Sequence, residues 1–174
     1  MIVVPIQNIT DRRIFRFFDC GNEDLNTYFQ KYAAPNDVVN ISKSFVCFDD
    51  DKKSIIGFYT LCAANIINAN LPDDLKRSLP KYPCPCVRIA RLGVDKKYQK
   101  QNYGKALLKD AFLRIINASS SIGVYGVLVD SKEESRTFYE HFGFIKLNST
   151  GLEYFLPLST IIEAFKTANS GVAL

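Results

Sequence analysis

Apolar positions along this chain change their spacing several times, and each change predicts an element. Met1 to Gln7 reads as a short strand. Phe18-Asp19-Cys20-Gly21-Asn22 then reads as a turn into a helix, with Asn22 as N-cap and Glu23 and Asp24 at the positive end of the helix dipole. Leu25, Tyr28, Phe29 and Tyr32 follow at i, i+3, i+4 and i+7, which is one helical face. Pro35 is expected to end or bend that helix. Ser44–Phe48 and Ile55–Ala63 are rich in β-branched and aromatic residues and flank the acidic tip Asp49-Asp50-Asp51-Lys52-Lys53, which predicts an antiparallel hairpin with a longer loop.

Beyond the hairpin, Asn70–Pro85 holds four prolines and predicts an irregular excursion with a short helix near Asp73–Leu79. Val87–Val94 is the next strand. Gly104–Asn117 is an amphipathic helix with Leu107, Leu108, Ala111, Phe112, Ile115 and Ile116 on one side. Val124–Val129 is an unbroken apolar run, as a central parallel strand should be. Glu133–Phe142 predicts a helix, Phe144–Leu147 and Glu153–Leu156 two strands, and Ser159–Thr167 a last helix. The class is therefore mixed α/β: an antiparallel first half, then a β-α-β unit with more β and α behind it. The length of 174 residues, without repeat or low-complexity linker, suits one domain over 1–174.

Composition adds exclusions. Charged residues make up 23% of the chain and hydrophobic ones 47%, so a disordered chain is not expected. Met1–Arg13 has no basic segment followed by a long apolar one, and no stretch is long and apolar enough for a membrane span, so a cytoplasmic protein without membrane contact is expected. The five cysteines, Cys20, Cys47, Cys62, Cys84 and Cys86, are odd in number and argue against a disulfide framework. Cys84-Pro85-Cys86 lacks further ligands at zinc spacing, and His141 is the single histidine, so no metal is expected. Between Lys76 and Arg114 eleven cations face two acids, whereas the rest of the chain is net acidic. A block of that kind is a solvated face or an attractor of phosphate and nucleic acid.

The chemistry centres on Arg88 to Leu108. A strand, Arg88-Ile89-Ala90-Arg91-Leu92-Gly93-Val94-Asp95, leads through Tyr98-Gln99-Lys100-Gln101-Asn102-Tyr103 into a helix opening Gly104-Lys105-Ala106. Unpaired N–H groups and the helix dipole at such a turn make an anion site suited to a pyrophosphate. Gly104 permits close backbone approach, and Lys100 and Lys105 add charge.

Gln99-Lys100-Gln101-Asn102-Tyr103-Gly104 resembles the Q/R-x-x-G-x-G/A signature of the GNAT superfamily of N-acetyltransferases, with Asn102 in place of the first glycine. Asparagine is the next most tolerant residue for a left-handed backbone, so the turn is expected to survive. The family's second landmark, a helix carrying a tyrosine and then a Gly-Phe turn, is matched by Ser135-Arg136-Thr137-Phe138-Tyr139-Glu140-His141-Phe142-Gly143-Phe144. The resemblance covers nearly the whole chain and implies the GNAT fold: a mixed, mostly antiparallel twisted sheet, splayed between its fourth and fifth strands and flanked by helices. It implies acetyl-CoA as donor, held by Leu92, Gly93, Val94, Gln99, Lys100, Gln101, Asn102, Tyr103, Gly104 and Lys105. It implies direct attack by an amine, with Tyr139 as general acid toward the CoA thiolate. Phe138 and Phe142 are the better core fillers on that helix. His141 lies two residues beyond Tyr139, points away from it and reads as a surface histidine. No general base stands out, and an α-amine with a pKa near ~8 needs none.

Phe18-Asp19-Cys20-Gly21-Asn22-Glu23-Asp24-Leu25-Asn26-Thr27-Tyr28-Phe29 resembles the opening of one branch, as do Gly57–Leu61 and Arg91–Asp95. That branch comprises the toxins of type II toxin–antitoxin pairs. The resemblance implies acetylation of the α-amino group of aminoacyl-tRNA, blocked translation, a ribbon-helix-helix antitoxin and a homodimer. The basic block fits a tRNA: Arg88 and Arg91 alternate with apolar residues and are expected to share a face, and Lys76, Arg77 and Lys81 precede them. Two other readings stay open. One is an acetyltransferase of a small-molecule amine or protein N-terminus. The other is a CoA-binding module without turnover.

Overall fold

A computed structural model describes residues 1–49, 54–67, 76, 82–147 and 151–169. The expected helix at 73–79 and the tip of the hairpin therefore lie outside the described residues, apart from Lys76, which is helical, and Asp49. By Cα proximity the chain divides into two compact units, Met1–Cys62 with Ile89–Leu113 and Ala63–Arg88 with Arg114–Leu174.

The first unit holds β1 (Ile2–Pro5), β2 (Lys43–Phe48), most of β3 (Ile55–Ile66) and the end of β4 (Cys84–Val94). β1 pairs antiparallel with β2, from Ile2↔Phe48 to Pro5↔Phe45. β2 pairs antiparallel with β3 from Lys43↔Leu61, as the hairpin reading expected, with a bulge at Cys47/Phe48. Short 3-10 turns at Ile6–Asn8 and Arg12–Phe17 carry the chain from β1 to the helical region. The helix predicted after Asn22 is present. Asn22 caps α1 (Glu23–Thr27) by accepting the N–H of Leu25 at 3.1 Å.

Pro35 does not end that helix. A π turn at Tyr28–Tyr32, closed by the N–H of Ala33 donating to the carbonyl of Tyr28, leads into α2 (Ala33–Val38), which contains Pro35. A proline ring clashes with the carbonyl four residues back in a regular helix, and a wide turn just before it opens that carbonyl row. The extra residue also rotates the apolar face. Tyr32, expected inside, is 54% exposed, and Ala33, Ala34 and Asp37 are buried in its place. Phe15, Phe18, Phe29 and Phe58 form the aromatic centre of this unit's core, with ring centroids 4.4–5.4 Å apart for the pairs that touch.

The second unit holds β5 (Gly126–Asp130), β6 (Ile145–Lys146), β7 (Glu153–Pro157), α4 (Arg136–His141) and α5 (Leu158–Asn169). The long helix α3 (Tyr103–Ser119), between β4 and β5, begins in the first unit and ends in the second. β7 pairs antiparallel with both β5 and β6. Ile66, Cys84, Cys86, Leu128 and Phe155 form this unit's core cluster. Through the seven strands the order is β1-β2-β3-β4-β5-β7-β6. The mixed α/β class is the expected one, and the run β4, α3, β5 has the expected strand-helix-strand order, with β4 and β5 as neighbours in the sheet.

Candidate active site

The turn from β4 into α3 sets exposed backbone directly before the start of a long helix. Asp95 ends the strand, and a 3-10 turn at Lys96–Tyr98 follows it. Gln99 is extended, and then two residues take left-handed backbone: Lys100 at φ 61° and Asn102 at φ 65°. Asn102 thus adopts the conformation that the glycine of the signature supplies, and Lys100 is a second such residue that sequence reasoning missed. The carbonyl of Asn102 accepts the N–H of Ala106 at 3.1 Å, so α3 starts directly after it. The N–H groups of Tyr103, Gly104 and Lys105 have no acceptor within the helix, because no residue precedes them by one full turn inside it. Lys100, Gln101, Asn102 and Lys105 are exposed around this end. Fixed N–H groups, a dipole and two nearby ammonium groups favour a phosphate ester.

The strand before the turn is held close to its neighbour. A Cβ on Gly57 of β3 would stand 2.6 Å from the carbonyl oxygen of Gly93 and 2.8 Å from Leu107, so only glycine fits. Gly93 is buried, and Leu92 and Val94 are half-buried. Asp95 is buried, and its carboxylate accepts the N–H of Asp19 and the N–H of Lys97, both at 3.0 Å. The Phe18–Asn26 segment therefore lies against the turn, a placement that its sequence did not disclose. The Gln99 side chain donates to the carbonyls of Cys20 (2.9 Å) and Val94 (3.0 Å). Gln101 donates to the carbonyl of Lys97 at 3.0 Å.

Tyr139 sits on α4 in the second unit. The residue is only 8% exposed, with its ring edge-on to Phe138 and Phe144. Phe138 and Phe142, expected to fill the core, are only half-buried. Gly143 at φ 83° explains the inversion: the left-handed turn ends α4 over the carbonyl of Tyr139, which accepts the N–H groups of Phe142 and Phe144. Phe144 is thereby folded under the tyrosine. Among the described residues no buried side-chain oxygen lacks a partner, and the Tyr139 hydroxyl bonds to none of them, so it meets accessible space. Burial pushes its pKa up to about 12, so it holds its proton throughout the neutral range. His141 is exposed, as expected.

The basic residues separate. Arg88 donates to Asp130 and to Glu153, the latter at 2.8 Å, and its side chain is 23% exposed. Arg91 is exposed and lies over the Tyr28 ring, 5.0 Å from its centroid. Three residues apart on one strand, the two point to opposite faces, which corrects the expectation that they share one. Lys76 is half-buried, and Arg77 and Lys81 lie outside the described residues.

Among the described residues no group of His, Cys, Asp and Glu could hold a metal, and no helix is long and apolar enough to cross a membrane. The five cysteines form no disulfide, and Cys47, Cys84 and Cys86 are buried. Burial raises Cys47 and Cys86 to about 11, which disfavours a thiolate nucleophile.

Comparisons with known proteins identify the family. The model of the acetyltransferase (GNAT) domain family matches residues 19–158, which include parts of both units. A tRNA-acetylating toxin of Mycobacterium tuberculosis is 35% identical over 139 residues, 79% of this chain and 82% of its own. The structure of AtaT complexed with acetyl-methionyl-tRNAfMet superposes with a TM-score of 0.85 at 27% identity, covering 94% of this chain and 98% of that one. The structure of AtaTR bound with AcCoA superposes with a TM-score of 0.80 at 27% identity, covering 94% and 97%.

Proposed function

The chain belongs to the GNAT acetyltransferase family, and from that premise we propose that it is a toxin that moves the acetyl group of acetyl-CoA onto the α-amino group of aminoacyl-tRNA, blocking translation. The observation that carries the donor half is the left-handed Asn102 set directly before a helix of 17 residues. The acceptor half rests on the M. tuberculosis relative and on the AtaT complex with acetyl-methionyl-tRNA.

In this reading the N–H groups of Tyr103, Gly104 and Lys105 bind the donor's pyrophosphate, with Lys100 and Lys105 adding charge. Gln99, Gln101 and Asn102 give the turn its shape. The backbone of Leu92, Gly93 and Val94 lies along the pantetheine arm, and an N–H there stabilises the oxyanion formed at the thioester carbonyl. The amine attacks that carbonyl carbon directly and sheds one proton to water, the carbon–sulfur bond breaks, and the Tyr139 hydroxyl gives its proton to the leaving thiolate and regains one from solvent. A phenol pushed up to about 12 stays protonated and can make this donation at any neutral pH. Exposed Arg91 is assigned to the tRNA, together with Lys76, Arg77 and Lys81. Arg88 contributes to the tRNA face only if its two carboxylate partners release it.

The chain acts as one catalytic domain over 1–174, in the cytoplasm, as a homodimer, and is inhibited by a ribbon-helix-helix antitoxin. The test is incubation of labelled acetyl-CoA with charged tRNA. Transfer to the aminoacyl group, lost in Tyr139→Phe, is the expected result. Transfer only to free amines or peptides overturns the tRNA reading, and CoA binding without turnover on any amine overturns the enzymatic one.

A further inference from the structure

The phosphate-binding turn does not hold its own shape. Two of its residues, Lys100 and Asn102, carry left-handed backbone without being glycine. Such backbone is disfavoured for residues with a Cβ, and it persists where neighbouring contacts fix the chain on either side. On the downstream side α3 supplies that restraint. On the upstream side the restraint runs through Gln99, whose side-chain amide bridges the carbonyls of Cys20 and Val94. One of those acceptors belongs to β4. The other, Cys20, lies in the turn before α1 and has to be fixed by something else.

Asn26 fixes it. Its side-chain oxygen Oδ1 accepts the N–H of Cys20 at 2.9 Å, and its amide Nδ2 donates to Asp19 Oδ1 at 2.8 Å. Both ends of one amide are used to close the Asp19–Cys20 turn. Asp19 in turn grips the far end of the same loop. Its N–H donates to Asp95 Oδ2 at 3.0 Å, its carbonyl accepts the N–H of Lys96 at 2.9 Å, and its carboxylate pairs with Lys96 Nζ at 2.8 Å. Every one of these bonds lies within the first unit.

We infer that Asn26 is a positioning residue for the acyl donor: acting through the Cys20 carbonyl and the Gln99 amide, it holds the Gln99–Lys105 turn in the shape that binds the CoA pyrophosphate. This rests on the reading of that turn as the donor site. It does not depend on the identity of the acceptor.

The test is a double-mutant cycle on the whole protein, read by calorimetric titration with CoA itself. Asn26→Ala and Gln99→Ala each raise the Kd for CoA about tenfold, which is about 1.4 kcal/mol of binding free energy. Because the two act in series, the double variant also loses about tenfold, not the roughly hundredfold expected of independent residues. At saturating acetyl-CoA the kcat of Asn26→Ala stays within about twofold of wild type while the KM for acetyl-CoA rises, as for a residue acting on binding alone. A general loss of folding would lower both. If Asn26→Ala does not fold, Asn26→Asp keeps the acceptor for Cys20 N–H, removes the donor to Asp19 and sets like charges side by side, and the same rise in Kd is expected. Unchanged CoA affinity in the variants, or additive losses in the cycle, overturns the inference. Failure of the wild-type protein to bind CoA overturns the donor reading itself, so the two failures are distinguishable.

Discussion

Asp95 offers the sharpest check on how the donor turn is held. Its side chain is 5% exposed, and its two carboxylate oxygens each accept one backbone N–H, from Asp19 and from Lys97. Asp95→Ala removes both acceptors and adds no new one. A hydrogen bond to a charged group contributes about 1.5–3 kcal/mol, and a buried N–H left without a partner costs about 1–3 kcal/mol. Both hydrogen bonds are partly buried, so each freed N–H regains water only in part. The expected loss is therefore about one full bond plus a fraction of the second, or about 2.5 kcal/mol. In a chain of this size that lowers Tm by roughly 5–10 °C. Asp95→Asn retains one acceptor oxygen but turns an NH2 toward a donor, and should lose about 1.5–2 kcal/mol. Urea unfolding followed by far-UV circular dichroism measures both, with the slope m unchanged if only stability moves. A loss below about 1 kcal/mol for Asp95→Ala would refute the view that this carboxylate ties the two segments together.

Three further outcomes are expected. Tyr139→Phe should lower kcat about 10²–10⁴-fold with little change in the KM for acetyl-CoA, and should leave stability nearly unchanged, since the hydroxyl bonds to none of the described residues. Its pKa is raised from an unfolded value near 10 to about 12, so the folded state prefers the neutral phenol; its contribution is fully present below pH ~10 and is lost as pH rises toward 12, which an alkaline unfolding series on wild type and Tyr139→Phe would reveal. Asn102→Gly should fold and bind acetyl-CoA as well as wild type, whereas Asn102→Val, β-branched at a positive φ, should cost about 1–2 kcal/mol and raise the KM for acetyl-CoA. Arg88→Ala should appear mainly as lost stability, with the salt dependence of tRNA binding almost unchanged, because its charge is already paired with Asp130 and Glu153; Arg91→Ala should reduce that salt slope by about one contact.

Period and punctuation made much of this fold legible. Asn22 as N-cap, the β2–β3 hairpin and the long helix after the Gln99–Gly104 motif follow from local chemistry that tertiary contacts reinforced. The tolerance of Asn102 for left-handed backbone was legible for the same reason. What escaped the sequence was set by contacts between distant segments. Nothing local says that Asp19 will meet Asp95, or that Gln99 will spend its amide on Cys20, 79 positions away. Tyr139 was read as less buried than Phe138 and Phe142, because helical spacing alone did not include the return of the chain at Gly143, which lays Phe144 beneath it. Arg88 counted as a free cation in a charge tally, and only the strand register of β5 and β7, with Asp130 opposite Glu153, sets two carboxylates together as its partners.

The π turn at Tyr28–Tyr32 has a consequence for insertions and deletions. Regular helices tolerate neither, since one residue more or less rotates everything beyond it by about 100°. Here one surplus residue is already built in, between the part of the helix that carries Asn26 and Phe29 and the part that carries Asp37. Removing Lys31 would restore regular winding and bring the Pro35 ring back against an aligned carbonyl. Because the wide turn spends one more residue on about the same rotation, Asp37 would keep facing the Ser44 N–H that its carboxylate accepts at 3.0 Å. The frame of the upstream half would be untouched. The loss should therefore fall on the turn around Pro35 and spare both the junction with β2 and the clamp on the donor turn, so the joint marks a place where this helix can shed a residue without re-facing either half.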